Sequence, residues 1–160
     1  MKIYLIGMPG SGKSTIGKIL AEKINYEFID LDAQIEKESL FFIDELIENY
    51  GIEKFRQIES ETIKKINGNN LVIACGGGIV ENLKNKQFMD GKIIFLDVEI
   101  EILKTRLKND YQRPLLKEYT LEEIHQKRFL FYQHFADINI SNNTEIENTI
   151  SNIIMQVEEL

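Results

Sequence analysis

Apolar residues in this chain follow two rhythms that alternate along its length. Short runs rich in β-branched and aromatic residues, Ile3–Ile6, Leu71–Cys75 and Lys92–Asp97, read as strands buried within a parallel sheet. Phe28-Ile29-Asp30-Leu31-Asp32 reads as another, apolar and then abruptly acidic, and Ile138–Ser141 as a fifth. Between the strands the spacing changes to that of a helix face. Ile16, Ile19, Leu20 and Ile24 mark the first helix, and Ile146, Ile150, Ile153, Ile154 and Val157 the closing one. A short amphipathic helix is expected over 40–50, stopping at Gly51. A longer one follows, with Phe55, Ile58, Thr62 and Ile66 on one face. Ile100, Leu103 and Leu107 mark a helix behind the fourth strand, and another runs from Leu121 to about Ala136. Strands alternating with helices imply an α/β fold. Residues 108–120 break the rhythm with a polar insertion, and Arg113 stands in it directly before Pro114.

Composition narrows the class. The chain has 160 residues, 43% hydrophobic and 28% charged, which suits one globular domain with a sizeable core. A net charge of −7 without any block of Lys or Arg argues against a nucleic-acid partner. Cys75 is the only cysteine, so no internal disulfide or cysteine-based zinc site is available. His125 and His134, nine positions apart, do not suit a shared metal on one helix face. The first strand begins within two residues of the start, and no apolar run approaches about 18 residues. A cytoplasmic protein without a membrane segment is expected.

The chemistry concentrates where glycine does, since seven of the ten glycines fall in the first 17 residues or at 76–78. Gly7-Met8-Pro9-Gly10-Ser11-Gly12-Lys13-Ser14 fits G-x-x-x-x-G-K-[ST] at every fixed position, between a strand and a helix. Glycines there let backbone N–H groups converge on an anion, and the helix N-terminus adds about half a positive charge. Gly10, Ser11, Gly12, Lys13, Ser14 and Thr15 are therefore expected to cradle the phosphates of a nucleoside triphosphate. Lys13 would reach the β- and γ-phosphates, and Ser14 would ligate Mg²⁺. The competing reading, a tight turn with Ser and Thr caps, does not account for the whole pattern.

Other candidates are weaker singly. Asp30 and Asp32 lie near a strand's C-terminal end, where parallel α/β sheets bind ligands, although Asp32 could equally cap the next helix. Arg56 and Glu59, three apart, taken alone are an ordinary surface ion pair. Gly76-Gly77-Gly78 after the third strand suits close approach of a ligand. Arg128 sits among Phe129, Phe131, Tyr132 and Phe135, where an arginine can pair or stack at the core margin. The insertion at 108–120 reads as a lid whose arginine supplies charge to a transferring phosphoryl group.

In order and spacing these residues resemble the shikimate kinase family of P-loop proteins. The resemblance covers nearly the whole chain. It rests on the phosphate loop, Asp30-Leu31-Asp32, Phe55-Arg56 with Glu59, Gly76-Gly77-Gly78, Arg113-Pro114-Leu115-Leu116, and Arg128 with Tyr132 and Ala136. It implies a three-layer P-loop kinase fold around a five-stranded parallel sheet. The expected organisation is one domain over 1–160, with a substrate-binding part at about 32–60 and a lid at about 108–120. It also implies ATP-dependent phosphorylation of shikimate with Mg²⁺, by a monomer.

By the same resemblance, Asp32 would hold shikimate hydroxyls and accept the proton of the attacking one. Arg56 and Arg128 would clamp the carboxylate, with Glu59 orienting Arg56. Gly76, Gly77 and Gly78 would line the substrate, Asp30 would join Ser14 at the metal, and Arg113 would reach ATP. The chain departs from the family pattern at Leu40, Phe42 and Ile52, and lacks a basic residue in Ser141-Asn142-Asn143-Thr144. A kinase for another polyol acid such as gluconate is the rival enzyme. A regulatory nucleotide-binding module without turnover is the rival of another class.

Overall fold

A computed structural model describes residues 1–109, 116 and 118–158. Arg113 and most of the expected lid lie outside the described residues. Five strands, β1 (Lys2–Ile6), β2 (Glu27–Asp30), β3 (Leu71–Ala74), β4 (Lys92–Asp97) and β5 (Ile138–Ser141), form one sheet in the order β2-β3-β1-β4-β5. Every pairing is parallel. The helices are α1 (Lys13–Lys23), α2 (Leu31–Ser39), α3 (Ile43–Tyr50), α4 (Ile52–Lys65), α5 (Ile100–Leu107), α6 (Leu121–Phe135) and α7 (Ile146–Glu158). Two 3₁₀ turns, Ile79–Glu81 and Leu83–Phe88, fill a stretch that carries no sequence periodicity.

Alternation along the strands divides the core between the two faces of the sheet, as a pleat requires. Tyr4 and Ile6 of β1 face one cluster with Ile73, Phe95 and Tyr132. Ile3 and Leu5 face the other, with Ile16 and Leu20 of α1 and Ile150 and Ile153 of α7. Helices cover both faces, so the strands are apolar on both sides and the layers number three. A third, separate cluster joins Ile35 of α2, Leu46 of α3 and Phe55 of α4. Among the described residues no helix is long and apolar enough to cross a membrane.

Two local expectations need correction. Asp32 is not at the end of a strand, because β2 stops at Asp30 and Asp32 falls in the first turn of α2. The cap is Asp30, whose Oδ1 accepts from the Ala33 backbone N–H at 3.1 Å. The helix expected over 40–50 begins only at Ile43. Leu40 ends α2 in the left-handed region at φ 62°, a conformation that favours glycine, and Leu40 and Phe42 are 88% and 67% exposed. The apolar run at 40–42 reads as a helix start, but the chain turns a corner there.

Candidate active site

The parallel sheet sends every strand's C-terminal end to the same edge, and the two central strands β1 and β3 lead into the two glycine-rich loops there. After β1 the chain wraps through Gly7–Gly12 into α1. Gly12 takes φ 94° and leaves no room for a side chain, since a Cβ would stand 2.7 Å from Asn142 Nδ2. Among the described residues no side chain caps α1, and its first turn holds no acid, which suits an anion at its N-terminus. The Lys13 ammonium donates to the carbonyls of Gly7 and Met8, both at 2.9 Å. Ser14 Oγ donates to Asp30 Oδ2 at 2.5 Å, which brings two hard oxygen donors together at the mouth of the loop.

Two residues without a sequence motif complete this half. Asn142, buried at the end of β5, donates from Nδ2 to Ser11 O at 2.8 Å and accepts at Oδ1 from Thr149 Oγ1 at 2.7 Å. Arg106 of α5 donates to Asn142 O at 2.8 Å and Gly10 O at 3.2 Å. Arg106 therefore brings a basic group to the side of the loop where the 141–144 segment lacks one. The cavity they enclose is about 540 Å³, and Lys13, Asp30, Asp32, Arg106 and Asn142 line it.

On the other side, α4 and α6 each present an arginine toward the second glycine loop. Arg56 donates to Glu59 Oε2 at 3.0 Å, and Arg128, only 3% exposed along its side chain, lies beside it. The triplet at 76–78 is glycine for lack of space. A Cβ on Gly78 would fall 2.0 Å from Arg56 Nη2, and one on Gly76 would fall 2.6 Å from Glu59 Oε1 and 2.9 Å from Asp32 Oδ1. Tyr132, stacked on Phe95 at 5.0 Å, donates its hydroxyl to Gly77 O at 2.6 Å and fixes the loop from behind. A small cavity of about 80 Å³ remains, walled by Asp32, Arg56, Glu59, Gly76, Gly77, Gly78 and Arg128. Asp32, Gly76 and Gly77 also line the phosphate-loop cavity, so Asp32 stands between the two halves.

Glu81, in the 3₁₀ turn after the glycines, went unnoticed in the sequence. Its Oε2 accepts from Arg56 Nη2 at 3.1 Å and from Arg128 Nε and Nη2 at 3.1 and 2.8 Å, while Oε1 pairs with Lys127 at 2.5 Å. Burial works to raise its pKa, but the Lys127 hydrogen bond and the charges of Arg128 and Arg56 outweigh that and hold it below the usual range. Cys75 is buried, and burial pushes its thiol well above the usual range, which fits a packing role.

Glu59 is the reverse case. Its side chain is 1% exposed, and its Oε1 has no hydrogen-bond partner among the described residues. Burial, with the Asp32 charge adding to it and Arg56 opposing, pushes its carboxyl from 4.5 up to about 7. A carboxyl raised in the folded state binds its proton more tightly there than in the unfolded chain. The stability this gives is fully present below about 4.5 and is lost as pH rises through about 7. The thermal midpoint of the wild type should therefore fall between pH 5 and pH 8 more steeply than that of Glu59→Gln. The difference is on the order of 3 kcal/mol at most. Parallel curves for the two proteins would show that Glu59 stays ionised throughout.

The family model for shikimate kinase matches residues 9–158. The chain belongs to the shikimate kinase family. A shikimate kinase of Rippkaea orientalis is 44% identical over 163 residues, covering 96% of this chain and 86% of the relative. Among solved structures, a shikimate kinase from Acinetobacter baumannii in complex with shikimate superposes with a TM-score of 0.91 at 28% identity. That match covers 99% of this chain and 93% of the other. The Aquifex aeolicus shikimate kinase gives 0.87 at 33% identity, covering 99% and 96%. In this shikimate kinase family member, Asp32, Arg56, the glycine triplet and Arg128 gather around one cavity. Lys13, Ser14 and Asp30 gather around the next.

Proposed function

We propose that this chain transfers the γ-phosphoryl group of ATP to the 3-hydroxyl of shikimate, giving shikimate 3-phosphate and ADP on the route to chorismate. The observation that carries the reading is the adjoining pair of cavities, one at a phosphate loop and one walled by two arginines, with Asp32 lining both. A cyclic polyol carboxylate suits the second cavity. Arginine forks grip its carboxylate, and Asp32 accepts from its hydroxyls.

In the transfer, the shikimate oxygen attacks the γ-phosphorus, the bond to the β–γ bridging oxygen breaks, and Asp32 accepts the hydroxyl proton. Such a transition state needs positioning and positive charge rather than a covalent partner on the protein. Lys13 supplies charge at the β- and γ-oxygens, and the N–H groups of Gly10, Ser11, Gly12, Ser14 and Thr15 hold the phosphates. Arg106 serves the nucleotide from α5. Arg113 is assigned to ATP and to charge stabilisation on the family resemblance, within a lid over 108–120. Ser14 and Asp30, a hydroxyl and a carboxylate 2.5 Å apart beside the phosphate loop, are a donor set that fits Mg²⁺, which commonly takes one or two protein oxygens plus phosphates. When bound, Mg²⁺ would neutralise phosphate charge. The same reading treats the chain as a single domain, with its acceptor side at about 32–60, acting in the cytoplasm.

The test is a coupled assay of ADP release with shikimate, quinate, gluconate and nucleoside monophosphates offered in turn. Turnover with shikimate above all others is expected. Turnover with gluconate or a nucleotide in its place would overturn the assignment.

A further inference from the structure

Glu81 does to the arginine pair what a substrate carboxylate is expected to do. One oxygen takes three N–H bonds from Arg56 and Arg128, the strong charge-assisted kind. Its position is equally telling. A cavity of about 870 Å³ lies against the pair, lined by Glu81, Lys127, Ile47, Ile52 and the two arginines themselves. The cavity of about 80 Å³ at the glycine triplet shares both arginines with it. The bridge from Arg56 through Glu81 to Arg128 thus lies where the two cavities share their arginine wall. Lys127, 67% exposed at the rim and already bonded to the other carboxylate oxygen, offers Glu81 somewhere to go.

We propose that Glu81 is a specificity-determining residue, a tethered carboxylate that occupies Arg56 and Arg128 until the substrate's own carboxylate displaces it toward Lys127. The inference rests on the assignment of these arginines to the substrate carboxylate. Displacement frees the donors of both guanidinium forks for the incoming carboxylate. It also sets selectivity. A free inorganic anion must compete with a carboxylate held at high local concentration, whereas shikimate adds hydroxyl contacts at Asp32 that offset the exchange. Apparent affinity is lowered by the fraction of molecules in which the arginines are available, so removing the competitor tightens binding.

The experiment uses Glu81→Gln, which keeps size and a carbonyl acceptor but removes the charge, and Glu81→Ala, which removes the group. Shikimate binding to the protein alone is titrated by calorimetry, and inorganic sulfate is tested as an inhibitor competitive with shikimate. Both variants should bind shikimate about five- to tenfold more tightly and become correspondingly more sensitive to sulfate, with the ATP KM unchanged. Unchanged or weaker shikimate binding overturns the proposal, because Glu81 would then be a strut that positions the arginines. Failure of both variants to fold counts the same way. If Arg56→Ala and Arg128→Ala leave shikimate binding untouched, the carboxylate clamp itself is wrong. If they abolish it while the Glu81 variants bind as wild type, only the competitor is.

Discussion

Lys13→Ala should fold normally and transfer phosphate slower by on the order of 10²–10³-fold or more. Lys13 opens α1 and is half-buried, with its ammonium resting on the carbonyls of Gly7 and Met8. None of the apolar clusters includes it, so its loss removes charge without opening a hole in the core. The transferring group spreads negative charge over its oxygens, and a fixed cation there acts on the transition state more than on bound ATP. The signature is therefore a drop in kcat with a thermal midpoint close to wild type. A folded variant with near-normal turnover would remove the phosphate loop from the mechanism.

The substrate clamp gives the second large effect. Arg56→Ala and Arg128→Ala should each raise the shikimate KM by the equivalent of about 2–5 kcal/mol, with little change in the KM for ATP. Replacement by lysine should also fail, because a point charge cannot grip a carboxylate as a planar fork does. Arg56 is the cleaner of the two sites, since it is 19% exposed along its side chain and Arg128 only 3%. Truncating Arg128 leaves Glu81 half-buried with one strong partner fewer, so some loss of stability accompanies the loss of affinity. Equal effects on both substrates would place the arginines at the nucleotide or in the scaffold.

Most of the architecture was legible because parallel strands buried on both faces leave unbroken apolar runs, and amphipathic helices leave a stripe. β4 and β5 fall on the residues that the pattern indicated. The errors lie where local chemistry outweighed periodicity. Leu40 and Phe42 look like a helix face, but the chain turns at Leu40 and exposes them. Asp32 follows an apolar run, yet the Asp30 cap starts the helix two residues earlier. The phosphate loop could be read because its spacing is fixed by one continuous backbone. Glu81, Arg106 and Asn142 could not, because the partners that tie them to the site lie 25 to 131 positions away in sequence. Arg56 with Glu59 shows the same limit from the other side. Three residues apart they resemble any surface pair, and only the packing of α4 against the glycine loop makes Glu59 a buried one.

The small cluster of Ile35, Leu46 and Phe55 has a consequence for the descent of such enzymes. Apart from Leu31 of α2, which belongs to a large core, α2, α3 and the start of α4 settle on one another through this cluster. Substitutions there can accumulate, and the corner at Leu40 can change its residues, while the sheet and the phosphate loop keep theirs. Most of the acceptor side can in this way be rebuilt around an unchanged phosphate loop, with the glycine triplet and Arg128 still supplied by the rest of the chain. An engineer can follow it by transplanting residues 31–58 as a block and retaining the rest of the kinase.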